Sequence, residues 1–169
     1  MRVLRPAEYR QSIFNIDLAR LKQMGKRAIM LDLDNTLVRW NDPDPTPGLI
    51  TWLDEVRAKG FQVCIVSNNT GPRVSEFAAK VGIPFISRAT KPRRKGFREA
   101  MERLGVTPAE TVVVGDQIFT DILGGNRAGA YTILVVPIDP REFIGTRLVR
   151  QVERRVLTYL HRNGLLTEK

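Results

Sequence analysis

The stretch that most constrains this chain is Ile29-Met30-Leu31-Asp32-Leu33-Asp34-Asn35-Thr36-Leu37, an apolar run ending in two aspartates one residue apart. A short, unbroken apolar run predicts a buried strand. On an extended backbone the two-residue spacing turns Asp32 and Asp34 to the same side. Two like charges at the end of a buried strand repel each other and are costly to bury unless a cation joins them. The spacing therefore predicts a Mg²⁺ site at the carboxyl edge of a parallel sheet, where open α/β folds hold their ligands. A surface turn rich in Asp, Asn and Thr is the alternative, and the rest of the chain decides between the two.

Strand and helix patterns alternate along the sequence. Residues 6–25 read as a short helix capped by Asp17, with Leu18 and Leu21 on its apolar face and Gly25 at its end, packed outside the sheet. The first strand covers 28–33. Prolines 43, 45 and 47 impose a stiff loop, after which Leu49, Ile50, Leu53 and Val56 fall at helical spacing up to Gly60. Further strands are predicted over 61–66, 83–86, 111–114 and 131–136. Helices between them run from about 72 to 81, up to Gly105, and through Asp121 and Ala128. Thr107-Pro108-Ala109-Glu110 has the capping-box pattern. Such an alternation demands right-handed crossovers and predicts an α/β, doubly wound, five-stranded parallel sheet. A last helix is predicted over about 142–161, with Ile144, Leu148, Val152, Val156 and Leu160 as its apolar stripe and Arg147, Arg150, Arg154 and Arg155 on the rest. It suits either docking on its own sheet or lying on an anionic membrane surface. No second-domain boundary is evident, so 1–169 reads as a single domain with a catalytic core over about 26–137.

Composition narrows the partners. Twenty-seven Lys and Arg against 18 Asp and Glu give a net charge of +9, which favours anionic partners: phospholipid surfaces, nucleic acid or phosphorylated substrates. Nothing interleaves aromatic and basic residues in the manner that stacks bases, which weighs against nucleic acid. No window approaches a membrane-spanning length. The segment MRVLRPAEYR lacks the apolar core of a secretory signal, so a cytoplasmic location is expected, with a place at the inner face of the membrane if the last helix meets lipid. The single cysteine, Cys64, sits in a strand pattern and reads as a core residue; His161, the one histidine, has no catalytic or metal context.

The predicted strand ends collect a chemical set: Asp32, Asp34 and Thr36; then Ser67 and Asn68; then Lys91; then Asp116 and Asp121. Parallel strands bring all of them to one crevice. A carboxylate at the position of Asp32 can attack phosphorus and divide one displacement into two. Asp34 can protonate the leaving alkoxide and later deprotonate water. Mg²⁺ prefers a few carboxylates plus water, and Asp32, the backbone carbonyl of Asp34 and Asp116 would suffice, with Asp121 orienting a water. Ser67 and the Asn68 backbone N–H can hold phosphate oxygens, and Lys91 can balance charge on the nucleophile.

DLDNTL, VSN, the Lys91-Pro92 pair and GDQIFTD, in this order, resemble the four motifs of the haloacid dehalogenase (HAD) superfamily, phosphatase branch. The resemblance implies that Asp32 is the nucleophile, Asp34 the acid/base, Ser67 a phosphate ligand and Lys91 the charge stabiliser, with Asp116 and Asp121 completing a Mg²⁺ site. Lys95 is a weaker candidate for the lysine, since Lys91 carries the proline that follows the family lysine. It also implies a Rossmann-like core of strand order 5-4-1-2-3. The intervals from Asp34 to Ser67 and from Ser67 to Lys91 are filled by the predicted loop, helices and strands, so no cap domain is expected. Trp40, beside the site, is a candidate substrate contact, although a packed loop anchor suits it better. The Pro6–Leu21 segment, DLDNTLVRW, SNN and GDQIFTDILGGNRAG are most similar to the capless IIIA group, which includes YqeG-type proteins and mitochondrial phosphatidylglycerophosphate phosphatases. That likeness implies a Mg²⁺-dependent phosphomonoesterase acting on phosphatidylglycerophosphate through an aspartyl-phosphate. A phosphatase of polynucleotide ends or small metabolites, and a binding protein with a vestigial site, are the alternatives. Oligomeric state is not indicated.

Overall fold

In the computed structural model, which describes residues 2–139 and 147–166, six strands form one parallel sheet. They are Glu8–Arg10 (β1), Ala28–Leu31 (β2), Gln62–Val66 (β3), Phe85–Ile86 (β4), Thr111–Gly115 (β5) and Tyr131–Val135 (β6), in the order β1-β6-β5-β2-β3-β4. The helices are Leu18–Gln23 (α1), Pro47–Ala58 (α2), Gly71–Val81 (α3), Lys95–Leu104 (α4), Leu123–Ala128 (α5) and Arg147–Arg162 (α6).

The period-2 alternation of the strands sorts the core into two layers. Ile29, Leu31, Val63, Ile65, Val112 and Val114 point to one face, where they meet Leu21 of α1, Leu49 and Leu53 of α2, and Val74 and Phe77 of α3. Ala28, Met30, Cys64, Val66 and Val113 point to the other, against Phe97, Ala100 and Met101 of α4. β2 lies between β3 and β5 with all four residues buried, which explains why its sequence is continuously apolar. Each such Leu, Ile or Phe side chain withdrawn from water contributes roughly 1.5–3 kcal/mol.

The five strands read from the sequence occupy the expected order, and a sixth, β1, extends the sheet beside β6. The count of five is therefore corrected to six. β1 escapes a hydrophobic pattern because its two inward residues are charged. Glu8 is buried and accepts from Arg10 Nε at 2.9 Å, from the Tyr131 hydroxyl at 2.8 Å and from Arg20 at 3.3 Å. Inward charges of this kind also blunt an edge strand against pairing with other chains. β2 stops at Leu31, two residues before the predicted end, because Leu33 to Val38 form a tight turn with Asn35 at φ 63°. The helix predicted through Asp121 opens as a π-helical turn, Ile118–Ile122, before α5 begins.

The stretch 142–146 of the predicted terminal helix lies outside the described residues. α6 does dock on its own chain, but through Glu153, Val156, Leu157 and Leu160, which are buried or half-buried, while Val152 is 44% exposed. Residues four apart drift about 40° per step around a helix, so a stripe spaced only by fours cannot all face inward. Val156 and Leu157 pack on a cluster of Ile118, Ile122 and Leu134, joined by Leu4 and Tyr9. His161 meets the Tyr9 ring edge-on, and Cys64 is buried with its thiol pushed up to about 12 by burial. Between β2 and β3 the chain forms one loop and α2, and between β3 and β4 only α3 and its connections; no cap is inserted at either place. Among the described residues no helix is long and apolar enough to cross a membrane.

Removing Arg10 leaves Glu8 buried with fewer partners, whereas the Arg27–Glu110 pair is solvent-exposed on its Arg side. Arg10→Ala is expected to cost about 2–4 kcal/mol in denaturant unfolding and Arg27→Ala under about 1 kcal/mol.

Candidate active site

The carboxyl ends of β2, β3, β4 and β5 converge on a single acidic crevice. At its centre the Lys91 ammonium lies 2.6 Å from Asp32 Oδ1 and 2.6 Å from Asp121 Oδ1. Thr36 Oγ1 stands 3.3 Å from both Asp32 Oδ2 and Asp116 Oδ1, tying the end of β2 to the end of β5. Asp116, Asp121, Lys91, Thr36 and Ser67 are all buried. Asp32, Asp116 and Asp121 each offer an oxygen, and these oxygens lie within 4.8 Å of one another.

Local sequence explains the placement. Asn35, Arg88 and Thr90 carry positive φ (63°, 48° and 55°), a region that costs a β-branched residue such as Thr most. These turns flank Asp34 and Lys91, so backbone strain is concentrated where side chains are aimed into the crevice. The Asn68 side chain fixes the Lys91 loop from the other strand end: its Oδ1 accepts from the Lys91 N–H at 2.7 Å and its Nδ2 donates to the Lys91 carbonyl at 3.1 Å. The π-helical turn after β5 brings Asp121 back over the strand, where Oδ2 accepts from the Gln117 N–H at 3.2 Å. Only glycine fits beneath it at position 115, since a methyl group there would come within 2.2 Å of the Asp121 carboxyl carbon.

The electrostatics call for a cation. Three clustered carboxylates against one ammonium leave two negative charges in excess in a buried space. Burial raises Asp32, Lys91 opposes the rise and the charges of Asp121 and Asp34 add to it, leaving the carboxyl pushed up to about 7. Burial alone would lower Lys91, but Asp121 and Asp32 outweigh it and hold the ammonium above the ordinary lysine value.

The residues singled out in the sequence for the chemistry thus gather at one edge, Lys95 apart. Lys95 opens α4 exposed to solvent and makes none of the Lys91 contacts. Trp40, in the loop after β2, is 40% exposed. The Asp34 carboxylate is not among the three clustered ones; it meets Arg73 and Asn69 instead. Arg73, Asn69, Gly115 and Glu153, whose Oε1 accepts from the Phe119 N–H at 3.1 Å, are partners that motif spacing did not single out. Gly115 was visible in GDQIFTD as the residue before an aspartate; the other three depend on contacts across 34 to 39 positions of chain.

Fold and crevice define a class, and comparison with known proteins agrees with it. The family described as haloacid dehalogenase-like hydrolase matches residues 13–129, and the chain belongs to that family. A relative described as probable phosphatase YqeG, from Bacillus subtilis, is 47% identical over 94% of this chain and 92% of its own length. Phosphatidylglycerophosphate phosphatase 1 of Arabidopsis thaliana is 31% identical over 89% of this chain, which spans 46% of that protein. The cobalt-bound deoxy-D-mannose-octulosonate 8-phosphate phosphatase of Haemophilus influenzae superposes with a TM-score of 0.54 at 18% identity, over 66% of this chain and 69% of its own. Apo phosphoserine phosphatase gives 0.54 at 16%, over 64% and 93%. At such identities the structural likeness speaks to the fold alone.

Gly115→Ala drives a methyl group into the Asp121 carboxylate. Calorimetric titration is expected to show Mg²⁺ affinity reduced at least about tenfold, with the far-UV circular dichroism spectrum unchanged.

Proposed function

We propose that this HAD-family phosphatase is a Mg²⁺-dependent phosphomonoesterase that works through an aspartyl-phosphate and acts on phosphatidylglycerophosphate at a membrane surface. The observation that carries the chemistry is the Lys91 ammonium bridging Asp32 and Asp121 in a buried acidic cluster at the sheet edge.

Asp32 is the nucleophile: one carboxylate oxygen forms a bond to phosphorus as the ester P–O bond breaks. Asp34 gives its proton to the departing alkoxide, then accepts one from the water that attacks the phospho-aspartate. Scission of the bond between phosphorus and Asp32 returns the carboxylate and releases inorganic phosphate. Lys91 offsets charge on Asp32 and on the phosphoryl oxygens, and Ser67, with the Asn68 N–H, orients those oxygens. Mg²⁺, held by Asp32, Asp116 and Asp121, with the Asp34 backbone carbonyl as a further ligand, would supply charge neutralisation for the phosphoryl group.

Support for a lipid substrate comes from two directions. One is the likeness to phosphatidylglycerophosphate phosphatase over most of the chain. The other is the outer face of α6, where Arg154, Arg155, Thr158, Tyr159 and Arg162 line a shallow groove beside exposed Val149 and Val152. Arginines interspersed with exposed apolar side chains suit an anionic bilayer surface, at about 1 kcal/mol per basic residue.

Phosphate release with Mg²⁺ is measured from phosphatidylglycerophosphate in mixed micelles, beside an aryl phosphate and a phosphorylated oligonucleotide. Preference for the lipid is expected, with Asp32→Asn inactive on all three; activity surviving Asp32→Asn would rule out the covalent route. Preference for the oligonucleotide would move the assignment to polynucleotide ends. Silence of the wild type on all three would favour a binding protein. Arg154→Glu, Arg155→Glu and Arg162→Glu together are expected to abolish co-sedimentation with anionic vesicles while leaving hydrolysis of the soluble aryl phosphate within about twofold.

A further inference from the structure

Asp34 is surrounded in a way that the roles assigned above do not use. Arg73 Nε donates to its Oδ1 at 2.8 Å, and a terminal nitrogen of the same guanidinium lies 2.7 Å from that oxygen as an ion pair. Asn69 Nδ2 donates to the other oxygen at 2.9 Å. The same guanidinium donates to the carbonyls of Asp42 and Arg39, both at 3.1 Å, so one side chain joins α3, the proline-rich loop and the end of β2. Asn69 is anchored in turn, its backbone N–H donating to Ser67 Oγ at 3.1 Å and its Oδ1 accepting from the Thr70 N–H at 2.7 Å.

Arg73 also sits where local rules argue against it. Thr70 is the N-cap of α3, so Arg73 falls in the first turn, where the helix dipole favours acidic residues and disfavours cations; no acidic residue occupies that turn. A locally unfavourable choice is retained where another level of structure uses it. Here the use is the Asp34 carboxylate, whose side chain is 25% exposed and would otherwise be free to rotate into solvent.

We infer that Arg73 is a positioning residue for the acid/base step, holding the Asp34 carboxylate and the loop of residues 39–42 at the leaving-group side of the crevice. The inference rests on the phosphatase reading and adds a residue to it. Its consequence is selective. A proton from a well-placed acid matters greatly for a poor leaving group such as an alkoxide and little for an activated phenolate. The constant kcat/KM reports on events through the first irreversible step, in which the leaving group departs, so the later attack of water does not blur the comparison.

Arg73→Gln, Arg73→Lys and Asp34→Asn are assayed with Mg²⁺ on an alkyl phosphate and on p-nitrophenyl phosphate. In Arg73→Gln, kcat/KM for the alkyl ester is expected to fall about 10- to 100-fold and that for the aryl ester less than about threefold. Asp34→Asn is expected to show the same selectivity, and Arg73→Lys to recover part of the alkyl activity, lysine lacking the fork that reaches both carboxylate and carbonyls. Equal losses on the two esters would overturn the inference and leave Arg73 a purely structural tie, as would no loss on either. If Arg73→Gln fails to fold, Asn69→Ala, which strips the other Asp34 oxygen, must show the selective loss in its place. A wild type inactive on both esters and on phosphatidylglycerophosphate would instead overturn the phosphatase reading itself.

Discussion

The ion triad of Asp32, Lys91 and Asp121 is the constraint on which the crevice depends. Each carboxylate oxygen is 2.6 Å from the ammonium, and the three residues come from the ends of different strands. Buried charges in this arrangement depend on one another, so the β2, β4 and β5 ends cannot shift independently without leaving a charge unpaired. The rest of the site extends this logic. Thr36 joins Asp32 to Asp116, Asn68 grips the Lys91 backbone from both sides, and Gly115 yields the space beneath Asp121. The single positive charge does not balance the acidic cluster, and the deficit is what a divalent ion would fill.

Much of this was legible because strand ends are where sequence and geometry coincide. A polar side chain that follows four apolar residues can be assigned to the edge of a sheet without knowing anything of its neighbours. Asp32, Ser67 and Asp116 are of this kind, and their register follows from the parallel pairing of β2 with β3 and β5. What sequence could not convey is long-range pairing of polar residues. β1 hid because Glu8 and Arg10 satisfy each other rather than showing an apolar face. Arg73 hid because it looks like one of many arginines in a basic chain, and its partner lies 39 positions earlier. α6 was recognised as a helix, but its inward face includes Glu153, a buried carboxylate that no hydrophobic stripe would nominate.

The third cluster of the core connects these outlying parts to the catalytic edge. Ile118 and Ile122 of the π-helical turn pack with Leu134, Val156 and Leu157, and Glu153 bonds the backbone of the same turn. Asp121 is therefore held by three supports: its hydrogen bond from Gln117, its ion pair with Lys91, and the packing of the turn against α6. A π-helical insertion at a functional position is a recurrent device for turning one side chain out of helical phase, and here it turns Asp121 towards the strand it follows.

The uninterrupted chain between β2 and β4 bears on rhythm as well as on access. Enzymes that close a domain over their substrate must open it again, and that reopening often sets the pace of turnover. With only a loop, α2 and α3 in those intervals, there is no hinged body whose swing must precede release of inorganic phosphate. Solvent viscosity, which drags on swinging domains, has nothing of that size in those two intervals to slow.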